Sequence, residues 1–212
     1  MTLTDTAYQE LEERIVTLQL RPGETLSEGQ LVEVLGIGRT PVREALQRLA
    51  REGLIVVMPR RGIAVSEIDI RKQLELLKVR RELERLMVRL AAERSSDAER
   101  EQFKVLANNM RAAAKERDDV AFMRLDRELN LLVSQSCRNE YAQRAMALTH
   151  GLSRRFWYVH YKQVLDLPRC AKLHADLADA ICAGRRREAA RASDLLIDYI
   201  EEFTRASLEA PV

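Results

Sequence analysis

The chain has 212 residues, of which 46% are hydrophobic and 32% are charged, and its net charge is +2, as in ordinary helix-rich globular proteins. Its longest apolar run, residues 54–58, is far shorter than the roughly 20 residues that cross a bilayer, which excludes a membrane span. No secretion signal is visible and the three cysteines lack metal or redox spacing, so we expect a cytoplasmic protein with no membrane partner.

Basic charge is concentrated in one short segment. Residues 1–36 contain two arginines and seven acidic residues, whereas residues 37–66 contain six arginines and only two glutamates. Such a segment is typical of a surface that binds phosphate, although charge clusters on their own are usually just solvated faces.

The first 66 residues predict three helices. A first helix fits residues 6–20, and Ser27 with Gln30 forms a capping box for a second. A glycine turn at residues 36–38 then leads to a third helix, with Thr40 as its N-cap and Pro41 as its first residue.

The third helix has a sharply divided surface. Its apolar residues follow helical spacing and predict a buried face: Val42, Ala45, Leu46 and Leu49. Arg43 and Gln47 share an adjoining edge, and Arg39 lies at the N-terminal end. A helix of this kind fits the DNA major groove, where arginine binds guanine bidentately and the helix N-terminus favours phosphate.

Two short strands are predicted after Gly53, within residues 54–58 and 62–66. The hairpin that joins them has Arg60, Arg61 and Gly62 at its tip and would contact the DNA backbone or minor groove. Residues 1–66 therefore predict a winged helix-turn-helix domain; the alternative is a small α+β domain with solvated arginines.

Residues 67–212 predict an all-α domain of six helices, so the protein as a whole is mostly α. One helix is expected over residues 139–163. In residues 68–94 the expected buried face consists of Leu76, Val79, Leu83, Met87 and Leu90.

Polar residues lie on or beside the apolar stripes of three of these helices: Arg80 with Glu84, Asp126 with Asn130, and His174. Ionisable side chains are seldom buried without partners, so their coincidence suggests a cavity with polar anchors. The alternatives are an Arg80–Glu84 pair at a helix contact, an exposed Asp126 and a core histidine.

The segment "RPGETLSEGQLVEVLGIGRTPVREALQRLAREGLIVVMPRRGIAV" resembles the DNA-binding domain of the GntR family of bacterial transcription regulators. The resemblance implies that DNA contacts come from Arg39, Thr40, Pro41, Arg43 and Gly62. Gly38 stands where the family usually has serine or threonine, and Gly29 where some relatives have arginine.

The helical part resembles the FCD domain, in its six-helix VanR-like form, through "VRRELE", "LDRELN" and "LHADLADAICAGRRREAA". Many members hold a divalent metal with one aspartate and three histidines. Asp126 and His174 match two of those positions, but Asn130 and Leu196 occupy the others. The resemblance therefore favours a metal-free pocket, with a weakly held zinc, nickel or manganese ion as the alternative.

Two arginines are expected to bind an effector carboxylate. Arg80 matches the inward arginine of the family, and Arg155 lies in the aromatic and basic stretch "THGLSRRFWYVHY". The alternative is that this stretch packs against the DNA-binding domain or at a dimer interface.

These observations predict a homodimeric repressor that binds a palindromic duplex operator and is released by a small organic acid. The effector site would comprise Arg80, Asp126, Asn130, Arg155 and His174. A metal-assisted hydrolase built on Asp126, Asn130 and His174 is one alternative, but no nucleophile or base is evident beside them. A helical scaffold without a ligand is the other.

Overall fold

The computed structural model describes residues 2–58, 62–164 and 167–209. The chain forms two compact units, one of Met1–Asp69 with Ala147–Val159 and the other of Ile70–Met146 with His160–Val212. In the described residues, no helix has both the length and the apolar character to cross a membrane.

Helices dominate both units, as the sequence predicts. The elements in chain order are α1 (Leu3–Val16), β1 (Thr25–Leu26), α2 (Glu28–Leu35), α3 (Arg39–Arg51), β2 (Ile55–Met58), β3 (Gly62–Val65), α4 (Ile70–Arg94), α5 (Asp97–Glu116), α6 (Asp119–Ser136), α7 (Glu140–Ala147), α8 (His150–Val164), α9 (Leu167–Cys182) and α10 (Arg186–Glu209).

The first unit is a winged helix-turn-helix. Its antiparallel sheet has the strand order β1-β3-β2, and β2 with β3 forms the predicted wing. β1 is not predicted, because two residues are too few to show a strand period. Gly62 is required beside it: its φ is +96°, and a Cβ atom there would lie 2.6 Å from the carbonyl oxygen of Leu26.

Capping fixes where the first helices begin and end. The predicted box of Ser27 and Gln30 starts α2, and Gly36 ends it in the left-handed conformation with φ +64°. The N-cap of α3 is Gly38, which provides no side-chain bond, so the prediction that Thr40 is the cap is wrong. Pro41 still lies in the first turn, where backbone N–H groups have no partner within the helix.

Residues 147–159 belong to the first unit, although the predicted boundary at residue 66 separates them from it. α8 packs closely on the core there, since a Cβ atom on Gly151 would lie 2.7 Å from Cδ1 of Leu54. Leu152 also packs against that core, which consists of Ala7, Tyr8, Leu11, Ile15, Leu31, Val42, Ala45, Leu46, Leu49, Leu54, Ile55, Ile63 and Val65.

The rest of the described chain is all-helical, which confirms the predicted class. A turn at residues 148–149 separates α7 from α8, so the single helix expected over residues 139–163 is two helices. The expected buried face of α4 is also wrong. Met87 is the only one of its five residues that is buried, and Val79 is 54% exposed. The buried face of α4 instead consists of Gln73, Leu77, Arg80, Glu84, Met87, Val88, Ala91 and Ala92.

Candidate nucleic-acid interface and effector site

α3 separates its buried and exposed residues as the sequence predicts. Its inner side buries Val42, Ala45, Leu46 and Leu49 in the core of the first unit. Its other side exposes the residues expected to meet DNA, namely Arg39, Thr40, Arg43 and Gln47, while Pro41 is half-buried. The apolar side of the helix is therefore held against the core while its polar side stays exposed, which a helix that binds the DNA groove needs.

Arg43 has a partner that the sequence analysis missed. Its Nε and Nη2 atoms donate to the Glu28 carboxylate at 3.1 and 3.0 Å, and its side chain stays 64% exposed. Glu28 raises the pKa of Arg43 by these hydrogen bonds and by its charge. The two residues are fifteen positions apart, so only the turn between α2 and α3 brings them together. Glu28 thus orients the guanidinium beside the free edge of α3.

Of the other residues predicted to contact DNA, Thr40 is exposed on α3 and Gly62 is packed within the sheet. Because Thr40 does not cap α3, its hydroxyl lies exposed at the first turn. Gly62 begins β3 and lies against β1, so its close packing already accounts for a glycine there. Arg61 lies outside the described residues.

A buried polar cluster holds the end of α3 against α1. The Tyr8 hydroxyl donates to Glu52 at 2.7 Å, and Arg48 Nε donates to the other oxygen of that carboxylate at 3.2 Å. The Arg48 guanidinium also lies over the Tyr8 ring, 3.7 Å from its centroid. Burial raises the pKa of Glu52, and burial with the nearby Glu12 and Glu52 raises that of Tyr8. These contacts fix the orientation of α3.

α8 contributes two buried arginines to the first unit. Arg154 forms an ion pair with Glu12, and both residues are largely buried. Arg155 is 2% exposed and donates to the carbonyl oxygens of Ser66 and Glu67 at 2.7 and 3.3 Å. Burial lowers the pKa of Arg155 to about 10, although the charge of Glu67 opposes this.

Arg155 belongs to the first unit, whereas the other residues of the predicted effector site belong to the second. Its partners just after the wing are two backbone carbonyl oxygens and the Ser66 hydroxyl, and the position agrees with the alternative that this stretch packs against the DNA-binding domain. The sequence could not distinguish the two, because an amphipathic helix shows which face is buried but not what covers it.

The remaining predicted effector residues lie on three helices of the second unit that pack on one another, α4, α6 and α9. Arg80 and Glu84 form a buried ion pair one turn apart on α4, in which Arg80 Nε donates to the carboxylate at 2.7 Å. The pair is the one that the sequence left as an alternative. It places a cation and an anion inside the helical domain.

Asp126 and His174 meet between α6 and α9. Nε2 of His174 lies 3.2 Å from Oδ1 of Asp126, and Nδ2 of Asn130 donates to the same oxygen at 3.1 Å. The Nδ1 atom of His174 is 2.8 Å from the carbonyl oxygen of Cys170 and must carry a hydrogen, because a carbonyl only accepts. Nε2 then needs a proton as well to contact the carboxylate.

This geometry favours a positively charged His174. Burial works to lower its pKa, but Cys170 and the hydrogen bond and charge of Asp126 outweigh burial and hold the pKa well above the usual value. The ring of Phe122 meets the imidazole edge-on, with 5.4 Å between centroids. The cluster is thus an imidazolium–carboxylate pair packed against an aromatic ring.

The four positions that bind metal in many FCD domains do not offer a metal donor set here. Leu196 is apolar and buried, and the Asn130 amide is a weak ligand beside imidazole. Within the described ranges, no group of three or more histidine, cysteine, aspartate or glutamate side chains could hold a metal ion. Two good ligands are fewer than the three or four protein ligands of zinc sites.

The fold and these sites define a class: a DNA-binding regulator with a winged helix-turn-helix unit and a helical second domain. Residues 3–65 match the bacterial regulatory proteins of the gntR family, and residues 75–199 match the FCD domain. The chain therefore belongs to the GntR family of transcription regulators and carries an FCD effector domain.

Similar proteins agree with this assignment, and they are transcription regulators and not enzymes. The chain is 48% identical over 62 residues to an HTH-type transcriptional regulator in an unstable DNA locus of Streptomyces ambofaciens, a match covering 29% of this chain and 26% of that protein. It is 24% identical to the HTH-type transcriptional repressor RspR of Escherichia coli K12, over 93% of this chain and 85% of that one. The solved structure of E. coli McbR/YncC has the same fold, with a TM-score of 0.81, 21% identity, and coverage of 98% and 99%.

Proposed function

We propose that this regulator is a repressor that binds a near-palindromic operator as a homodimer and releases it when a small organic acid enters the helical domain. The observation that carries the proposal is α3, whose apolar side is buried in the core while Arg39, Arg43 and Gln47 stay exposed. The name of RspR, a repressor related along most of this chain, favours repression.

Base contact falls to Arg43 and Gln47, which share the exposed edge of α3. Arg43 donates from Nε and Nη2 to the two carboxylate oxygens of Glu28, a pattern of two hydrogen bonds that a guanine edge also accepts. Arg39 and Thr40 at the first turn would bind phosphate together with the free N–H groups there. Two such helices, about 34 Å apart in a dimer, would contact successive major grooves.

An apolar stripe on the outer face of α4 supports the homodimer. Its residues are spaced three and four apart, and they are Leu76, Val79, Leu83, Leu86 and Leu90. Val79 and Leu86 are 54% and 41% exposed, which is unusual for large apolar residues seven positions apart on one helix. A two-fold axis beside α4 would pair the stripe with its copy, as in a coiled-coil seam.

The effector site that we propose consists of Arg80, Asp126, Asn130 and His174, without Arg155. Arg80 spends only part of its five-donor fork on Glu84, so an effector carboxylate can share it or replace Glu84. His174 offers a second positive charge. The effector would release DNA only to the extent that it binds one arrangement of the protein better than the other.

The pocket works without a resident metal in this proposal, and the protein acts in the cytoplasm. The donor set at Asp126, Asn130, His174 and Leu196 supports the first point. Titration with Zn²⁺, Ni²⁺ and Mn²⁺ should therefore leave the melting temperature within error.

Replacing Arg80 tests the effector half of the proposal. Arg80→Ala leaves Glu84 buried without a partner, so the double variant Arg80→Gln/Glu84→Gln, which keeps shape and removes both charges, is the companion. Both should bind operator as the parent does and should not be stabilised by a panel of acetate, benzoate, succinate and citrate. An acid at a hundred times its Kd should stabilise the parent by about 2.7 kcal/mol.

Arg144→Ala is the matched control, because it removes one exposed arginine from α7 and must leave the response intact. The thermal midpoint with and without each acid, together with operator release, supplies the measurement. If the Arg80 variants respond to the acids as the parent does, Arg80 is not in the pocket.

A further inference from the structure

Ion pairs join α4 and α10 along their length in the second unit. The pairs run in opposite chain directions, so the helices are antiparallel: Arg81–Asp198 at 2.7 Å, Arg85–Asp194 at 2.8 Å and Glu93–Arg186 at 3.5 Å. Each level of this ladder couples one cation to one anion across the helix interface.

The ladder has one level without an acid. Between the Arg85 and Glu93 levels, α4 carries Arg89 and α10 carries Ala190, with Arg187 and Arg191 one turn apart on either side. All three of these arginines are exposed, and none of them makes an ion pair with any residue that the structure describes. Three guanidinium groups thus meet where the pattern of the interface would place a carboxylate.

These arginines surround a groove and do not lie on a flat surface. Its volume is about 620 Å³, and its lining is Arg85, Arg89, Arg186, Arg187, Ala190, Arg191 and Asp194. The only acid among the lining residues, Asp194, is already held by Arg85. The groove therefore keeps a positive charge that its own residues do not neutralise.

We propose that this arginine groove binds a small anion with two or more linked phosphates. Arginine forks bind phosphate oxygens bidentately, and three unpaired forks exceed what one carboxylate can neutralise. The concave shape and the volume suit a molecule of nucleotide size, whereas a duplex backbone is convex and would contact only the rim. Neither the winged unit nor the Arg80 pocket contributes a residue to this site.

Calorimetric titration with pyrophosphate tests the proposal on the full chain. We expect saturable binding at one site per chain in moderate salt, and about tenfold weaker binding for Arg89→Gln and for Arg187→Gln/Arg191→Gln, since each removes charge-assisted hydrogen bonds. These side chains are exposed, so the variants should fold, and an unchanged melting temperature without ligand checks that they do.

Controls separate this site from general basicity and from the DNA-binding face. Arg144→Gln changes the charge equally on α7 and should bind pyrophosphate as the parent does, and so should Arg43→Gln on α3. Titration with ADP beside pyrophosphate and tripolyphosphate distinguishes a nucleotide from a free polyphosphate, and tighter binding of any of the three than of sulfate at equal ionic strength supports the site.

Three results would overturn the proposal. One is the absence of saturable binding, and another is equal weakening by Arg144→Gln. The third is loss of pyrophosphate binding in Arg43→Gln together with unchanged binding in Arg89→Gln, which would assign the phosphate site to the DNA-binding face.

Discussion

At the scale of single residues, the pair of Arg43 and Glu28 decides how the DNA-binding face behaves before DNA arrives. The carboxylate accepts hydrogen bonds from two of the five N–H donors of Arg43, those on Nε and Nη2, at 3.1 and 3.0 Å. It also sets a negative charge beside a surface meant for phosphate. A guanine in the operator can replace the Glu28 carboxylate by accepting two hydrogen bonds from Arg43, whereas a wrong base does not offer two acceptors in that arrangement. We therefore expect Glu28 to favour specificity at a cost in affinity.

Glu28→Gln should raise affinity for random duplex DNA by up to about fivefold, because exposed ion pairs of this kind are worth about 0.2–1 kcal/mol. Affinity for operator should rise less, so the ratio of the two falls. Fluorescence anisotropy with the operator duplex and the random duplex measures this ratio of affinities. Glu33→Gln, an exposed neutralisation on the same helix, is the control. An unchanged ratio in Glu28→Gln would show that the pair is merely a surface contact.

Single residues also show how far sequence reasoning extends. Arg80, Asp126 and His174 were predicted to point inward, and the structure buries all three, because ionisable residues within apolar stripes are reliable signals. Arg155 is buried as well but belongs to the first unit. The sequence could not assign it there, because the spacing along α8 does not reveal the residues that cover it. Long-range partners such as Glu12 for Arg154 carried no signal in the sequence.

At the scale of elements, α3 begins without a side-chain cap. Gly38 occupies the N-cap in an extended conformation, with φ −60° and ψ 160°, and nothing but Pro41 at 4.0 Å would meet a Cβ atom there. Serine or threonine is preferred at such a position because the hydroxyl accepts a backbone N–H bond. This glycine leaves a donor free at the phosphate-facing end of the helix.

Gly38→Ser should stabilise the protein by a few tenths of a kcal/mol through the new cap. It should also strengthen DNA binding, since the hydroxyl lies beside the first turn of α3. Gly36→Ser, two residues earlier, is the control and should destabilise by about 1 kcal/mol, because its φ of +64° suits glycine. Chemical denaturation of the two variants provides the comparison; destabilisation by Gly38→Ser would contradict the cap geometry.

Element prediction succeeded where local signals were strong and failed where tertiary contacts decide. The capping box at Ser27, the wing strands and the helical second domain are all present as predicted. α4 shows the limit: it has two apolar faces, and periodicity alone selected the outer one. The inner face includes Gln73, which a hydrophobicity pattern does not recognise as buried.

At the scale of the whole molecule, the proposed function uses three surfaces. We propose that α3 contacts DNA, that the interior of the second unit binds an acid, and that the outer stripe of α4 joins two copies. On α4 the stripe borders the groove, since Arg89 lies about 60° around the helix from Leu86, whereas Arg85 lies about 100° from it.

The most direct test is the salt dependence of binding by the full chain to duplex DNA from its own upstream region and to random duplex, with the parent and Arg43→Ala. We expect affinity that falls steeply as salt rises, and a loss of about 1–3 kcal/mol on the specific duplex for Arg43→Ala with a smaller loss on random DNA. Absence of salt-sensitive binding to either duplex would contradict the central claim that α3 is a DNA-binding helix.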